Sequence, residues 1–194
     1  MYWSDWETPL GAMLGVVDER GRLQRLDFLG DERETAEARL RETGFAEVAT
    51  RKPRRLAEVQ KQVGQYFAGR RERFDLELAW DGTDFQKRVW RALRRTRYGR
   101  TLNYPELARR AGHEGAVRAA GLANSHNPIS LVVPCHRVVG VDGALRGYGG
   151  GLPRKLALLE FEAGGGEADP AELLARAQRL LKVEGRLTLH SFAP

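Results

Sequence analysis

Asn103-Tyr104-Pro105-Glu106-Leu107-Ala108-Arg109-Arg110-Ala111-Gly112 leads into a second segment, from about Gly115 to Ser125, and the pair decides the fold of this chain. Asn103 has the short polar side chain that caps a helix N-terminus, with Glu106 three residues on as its capping partner. Pro105 is tolerated because a first-turn N–H has no intrahelical acceptor to lose. Gly112 closes the helix. Two short helices around a glycine-containing turn describe a helix-turn-helix. The second helix carries Ala116-Val117-Arg118-Ala119-Ala120-Gly121-Leu122-Ala123, with Val117 and Leu122 as packing positions and mostly small residues elsewhere. Small residues let a backbone lie close against something. A tight helix–helix contact uses the same composition, and periodicity does not separate the two.

Toward the N-terminus, Thr83-Asp84-Phe85-Gln86 is a capping box that opens a further helix. Phe85, Val89 and Leu93 mark its buried stripe, while Lys87, Arg88, Arg91, Arg94 and Arg95 cover the rest, and Tyr98-Gly99-Arg100 ends it. From Asp84 to Ala120, ten basic residues face three acidic ones; that +7 exceeds the +6 of the whole chain and leaves the remainder at −1. A cationic segment on a near-neutral body is the footprint of a polyanion partner. An ordinary solvated helix face gives the same count, so charge alone does not choose.

Toward the C-terminus stands Pro134-Cys135-His136-Arg137-Val138, with the only cysteine of the chain. One thiol forms no internal disulfide and builds no thiolate metal site alone, which leaves a buried filler or a nucleophile. A free thiol titrates at roughly 8.5, and a nearby imidazole lowers that into the reactive range. The adjoining His136 and Arg137 favour the nucleophile. Leu131-Val132-Val133 is predicted to be a short buried strand ended by Pro134, with Val138-Val139-Gly140 resuming beyond, so that Cys135 sits at a strand-end turn. Gly147-Tyr148-Gly149-Gly150-Gly151 is a loop without the strand-to-helix spacing or the lysine of a phosphate loop, and nucleotide binding is rejected. Leu152 to Phe161 is helical with Glu162 at its end, and Gly164-Gly165-Gly166 breaks the chain. A last helix, capped by Asp169 with Pro170 behind it, carries Leu173, Leu174, Ala177, Leu180 and Leu181 as a stripe docked on the body.

The first 80 residues are predicted to form a small α/β unit. Ala12–Val17 and Leu23–Phe28 make a hairpin, Asp31 to Glu42 a helix, and Phe45 to Val48 a further strand. Leu56, Val59, Val63 and Phe67 recur at helical spacing, and Phe74 to Leu78 alternates as a half-buried strand. A length of 194 residues with 42% hydrophobic content suits one or two compact domains. No apolar run approaches the roughly 18 residues of a membrane span, and Met1–Glu7 has no signal-peptide character. The reading is a cytoplasmic protein without membrane attachment.

Pro134-Cys135-His136-Arg137-Val138, Asn127-Pro128, Arg118 in a small-residue helix, Tyr104 and Glu162 together resemble the 6-O-alkylguanine-DNA alkyltransferases, or methylated-DNA–protein-cysteine methyltransferases, from about Thr83 to Ala163. The resemblance implies an α/β plus mainly α fold. A ribonuclease-H-like α/β domain would span 1–80 and a helix-turn-helix, winged-helix-like alkyltransferase domain 83–163, with an extension over 164–194. It implies a monomer that binds double-stranded DNA through the minor groove, flips out an alkylated guanine and moves the alkyl group irreversibly onto Cys135. That activity is a suicidal methylated-DNA–[protein]-cysteine S-methyltransferase, and it uses no cofactor.

By the same resemblance, Cys135 is the nucleophile, reached through a bridging water by His136, which Glu162 orients. Tyr104 donates to the leaving base. Arg118 fills the gap left in the stack, with Ala119, Gly121, Tyr104 and Arg95 at the DNA. Tyr148 and Gly149 form the lid whose N–H groups bind the guanine oxygen, Gly149 standing where many members have serine. The carbonyls of Cys135 and Val138 read the exocyclic amine, and Asn127 ties the recognition helix to the active-site strand. Arg137 is an ion-pair partner. The N-terminal zinc site of some members would need thiols this chain lacks. Three rivals remain: a lesion-binding protein that transfers nothing, a helix-turn-helix regulator with a sensor thiol, and a cysteine hydrolase. Lesion binders of this kind replace the cysteine, so Cys135 argues against the first.

Overall fold

A computed structural model describes residues 1–30 and 35–189. The chain divides into two compact units, one of Met1–Asp81 with Pro128–Ser130, the other of Gly82–Asn127 with the chain from Leu131 on.

The first unit is built on a four-stranded sheet in the order β3-β2-β1-β4, from β1 (Tyr2–Trp6), β2 (Met13–Val17), β3 (Leu23–Phe28) and β4 (Thr50–Arg51). β1, β2 and β3 run antiparallel, and β4 joins β1 in parallel. β2 is buried at all five positions because both sheet faces are covered. Leu14 and Val16 pack with Ala36 and Leu40 of α1 (Ala36–Glu42). On the other face Gly15 leaves room for Leu56, whose Cδ2 would lie 2.6 Å from any added Cβ. Leu56 leads into α2 (Ala57–Phe67).

Three expectations are corrected in this unit. Phe45–Val48 is a turn, in which Phe45 N–H donates to Leu40 O and Val48 N–H to Phe45 O; the strand forms later, at Thr50–Arg51. The helix expected over Asp31–Glu42 begins at Ala36 under a Thr35 cap, and residues 31–34 lie outside the described residues. Phe74–Leu78 is no regular strand and touches the sheet at one bridge, Leu23 to Leu78. The buried Gln62 stands in for a neighbouring strand. Its amide donates to Asp75 O at 3.0 Å and accepts from Asp75 N–H at 2.8 Å. β1 was not anticipated from the sequence.

The second unit is helical. α3 (Asp84–Arg94) carries the full capping box between Thr83 and Gln86. Val89, Trp90, Ala92 and Leu93 form its buried face, and the Trp90 indole donates to Ala123 O at 2.9 Å. α4 (Tyr104–Arg110) and α5 (Val117–Ser125) form the helix-turn-helix. Asn103 caps α4 by accepting from Glu106 N–H at 2.9 Å, but the Glu106 carboxylate does not reach back; it pairs with Arg110 at 2.5 Å. Two short parallel strands, β5 (Leu102–Asn103) and β6 (Val138–Val139), cross the unit. α6 (Leu152–Ala163) packs against α7 (Pro170–Glu184) around Val139, Leu145, Leu156, Leu159 and Ala177. Two expectations fail here. Leu131–Val133 is buried but turns rather than runs as a strand, with Leu131 at φ +71°. Leu122 is 59% exposed, because the buried face of α5 is Ala120, Ala123 and Asn124.

Candidate active site

The turn after α5 places the thiol. Cys135 opens one turn of 3₁₀ helix, Cys135–Arg137, and is 6% exposed. Its N–H donates to Val133 O at 2.8 Å, and Arg137 N–H donates to Pro134 O at 3.1 Å. The Asn127 amide donates to Val133 O at 2.7 Å and to Cys135 Sγ at 3.1 Å. Asn127 therefore both shapes the turn and places an N–H donor on the sulfur.

His136 is fully buried and its Nε2 lies 2.9 Å from Glu162 Oε1. The Arg137 guanidinium forks onto the same carboxylate, Nε to Oε2 at 2.8 Å and Nη2 to Oε1 at 2.9 Å. Gly99 N–H adds a fourth bond, to Oε2 at 3.3 Å. Burial alone would raise the Glu162 carboxyl pKa; the His136 contact and the Arg137 fork overturn that and hold it far below the usual carboxylate range. Burial lowers the His136 pKa, and Arg137 and Lys155 add to that against the opposing pull of Glu162, so the imidazole is neutral. An ionised carboxylate only accepts, so Nε2 carries the ring proton and Nδ1 keeps its lone pair. Nδ1 is buried and has no hydrogen-bond partner among the described residues. The residue next to the thiol thus offers a base held in one tautomer.

Tyr104, the first residue of α4, packs over Gly121 of α5, where an added Cβ would stand 3.4 Å from its ring. Burial raises its phenol pKa, so the hydroxyl stays protonated and can donate. The Tyr148 ring lies edge-on to His136, centroids 6.3 Å apart. A Cβ on Gly149 would meet nothing within 4 Å, so the missing side chain there is not a steric demand. Val138 is buried in β6. Arg118 and Ala119 lie exposed on α5 with Leu122, and Gly121 is partly buried beside them. Arg95 lines a hollow with Arg97, Arg100 and Arg110. Arg137 is an ion-pair partner and also sits over the Tyr98 ring at 5.8 Å.

Sequence reasoning missed Lys155. It lies fully buried in α6 with Nζ donating to Arg146 O at 2.7 Å. Burial lowers its pKa to about 8, and the nearby Cys135 works against that lowering. Lys155 is thus cationic at neutral pH and reciprocally favours a thiolate. Its signal in the sequence is a lysine directly before the apolar run Leu156-Ala157-Leu158-Leu159.

Residues 84–164 match the DNA binding domain of 6-O-methylguanine DNA methyltransferase, and residues 1–80 match its ribonuclease-like domain. The chain belongs to the 6-O-methylguanine DNA methyltransferase family. A methylated-DNA–protein-cysteine methyltransferase of Mycolicibacterium paratuberculosis is 56% identical over 113 residues, covering 58% of this chain and 68% of the relative. One of Methanosarcina barkeri is 44% identical over 162 residues, covering 84% of this chain and 97% of the relative. The crystal structure of Mycobacterium tuberculosis OGT in complex with DNA superposes with a TM-score of 0.77 at 40% identity, covering 90% of this chain and 99% of that one. The methyltransferase family thus accounts for both units of the chain. Among the described residues, no helix is long and apolar enough to cross a membrane.

Replacing Lys155 by methionine removes the buried cation near the sulfur. The pH at which Cys135 reaches half its maximal rate with iodoacetamide should rise by about one unit, the low end of what an adjacent opposite charge supplies. An unchanged pH profile in a folded Lys155→Met variant would show that Lys155 has no hold on the thiol.

Proposed function

We propose that this protein repairs DNA by flipping an alkylated guanine out of the duplex and transferring the alkyl group from the guanine 6-oxygen to Cys135, once per molecule. The observation that carries the proposal is the buried His136 Nδ1 lone pair, without a hydrogen-bond partner among the described residues, in the residue that follows Cys135 and with its tautomer fixed by Glu162. Through a bridging water, Nδ1 accepts the Cys135 proton, and the thiolate attacks the alkyl carbon. The S–C bond forms as the C–O bond breaks, and the electron pair of that bond goes to the guanine oxygen. The Tyr104 hydroxyl passes its proton to the leaving base, and the proton that left the sulfur replaces it, so that guanine departs neutral and His136 and Tyr104 end as they began. The product is a thioether, which neither ionises nor leaves, so the protein is spent.

The exposed face of α5 docks in the minor groove of the duplex, where its small residues allow close approach. Arg118 makes no ion pair among the described residues and occupies the space of the flipped nucleotide, offsetting an unstacking cost of a few kcal/mol. The backbone at Tyr148 and Gly149 binds the guanine oxygen, and the Val138 carbonyl accepts the exocyclic amine. The protein acts as a monomer.

With a duplex carrying one 6-O-methylguanine, the intact mass should gain one methyl on Cys135 and stop at one equivalent. Cys135→Ala should bind the lesion and gain nothing; continued turnover by the wild type would instead indicate a hydrolase. Arg118→Ala should slow repair of duplex at least tenfold, of the order an unstacking cost implies, while reaction with free 6-O-benzylguanine stays the same. Equal losses on both substrates would remove Arg118 from the flipping step.

A further inference from the structure

The basic residues of the second unit do not all lie on the face of α5. A hollow of about 370 Å³ is lined by Arg95, Thr96, Arg97, Arg100, Thr101 and Arg110. Arg110 is paired with Glu106. Arg95, Arg97 and Arg100 make no ion pair with any described residue. Like charges gathered in a concavity repel one another, and protein walls concentrate their field. A bound anion relieves that repulsion, and guanidinium forks match the oxygens of a phosphate group.

The wall of the hollow is held in place from behind. Thr96 N–H donates to Leu93 O at 2.8 Å and Arg100 N–H to Arg97 O at 3.2 Å. Arg137 Nη1 donates to Thr96 O at 2.5 Å. Gly99, at φ +66°, sits so close to α6 that a Cβ would stand 2.9 Å from Glu162 O. The arginines therefore project from a turn whose other side is bonded to the Arg137–Glu162 pair. A charged, preformed hollow of this kind does not need to be assembled by its ligand.

We propose that this hollow is a phosphate-binding site, separate from the Arg118 face, that takes a phosphodiester of the DNA backbone. Only the choice of DNA as the source of the phosphate rests on the function proposed above. The test compares the wild type with Arg97→Gln/Arg100→Gln, two exposed positions outside the site around Cys135. In one arm, inorganic pyrophosphate is titrated while the amide signals of Arg97 to Thr101 are followed by NMR. In the other, affinity for an undamaged duplex is measured across a salt series.

The wild type should show saturable shifts with pyrophosphate that the variant lacks. The variant's dependence of log affinity on log salt should be shallower by about one, the release expected for one lost phosphate contact. A change in the duplex arm alone supports the site with the DNA backbone as its only source. A change in the pyrophosphate arm alone supports a phosphate site but assigns it to a free phosphate. No change in either arm overturns the proposal. Neither arm depends on alkyl transfer, so failure of the wild type to react with free 6-O-benzylguanine would count against the proposed function and leave this site standing.

Discussion

One buried carboxylate organises the second unit. Glu162 is withdrawn from water, and an ion in that position is tolerated only when its lone pairs are met by donors. Four bonds meet them, from His136, from two nitrogens of Arg137 and from Gly99. The carboxylate thereby fixes the His136 tautomer, fastens the Cys135 turn to α6 and anchors the turn after α3. Removing it would strand a buried guanidinium as well as free the imidazole, so its positioning and stabilising roles are inseparable.

The second constraint is the tight path from the end of α5 to the thiol. Leu131 adopts the left-handed conformation, costing about 1–2 kcal/mol for an L-residue with a side chain. The surrounding burial and the two bonds from the Asn127 amide hold it. Because that amide reaches both Val133 O and the sulfur, the helix that carries Arg118 and the reactive atom belong to one continuous hydrogen-bonded piece. In the proposed transfer, a base displaced at α5 and the nucleophile that attacks it need a fixed spacing, and the Asn127 bridge supplies it.

The sequence was most readable where local chemistry settles the outcome. The Thr83 cap, the Asn103 cap and the Asp169 cap each satisfy their own helix from within a few residues, so spacing alone reveals them. The Pro134–Val138 stretch is equally distinctive. Readings failed where a partner distant in sequence decides the conformation. The alternation of Phe74–Leu78 suits a strand, but the backbone N–H and C=O of Asp75 are bonded to the Gln62 side chain. The apolar run Leu131–Val133 fits a buried strand and a buried turn alike. Leu122 looks like core by type and is exposed because α5 packs through its small residues instead. Lys155 escaped notice because a single lysine in a helix is ordinarily solvated, and only tertiary burial turns it into a charge facing the thiol.

The most direct test is the protonation state of His136. In uniformly ¹⁵N-labelled, unreacted protein at neutral pH, the imidazole nitrogens report which of them carries a proton. The expected spectrum has Nε2 protonated toward Glu162 and Nδ1 bare, with the ring remaining neutral to a pH below its ordinary value of 6.5. A proton on Nδ1, or a doubly protonated ring at neutral pH, would leave the thiol without a neighbouring base and contradict the proposed chemistry.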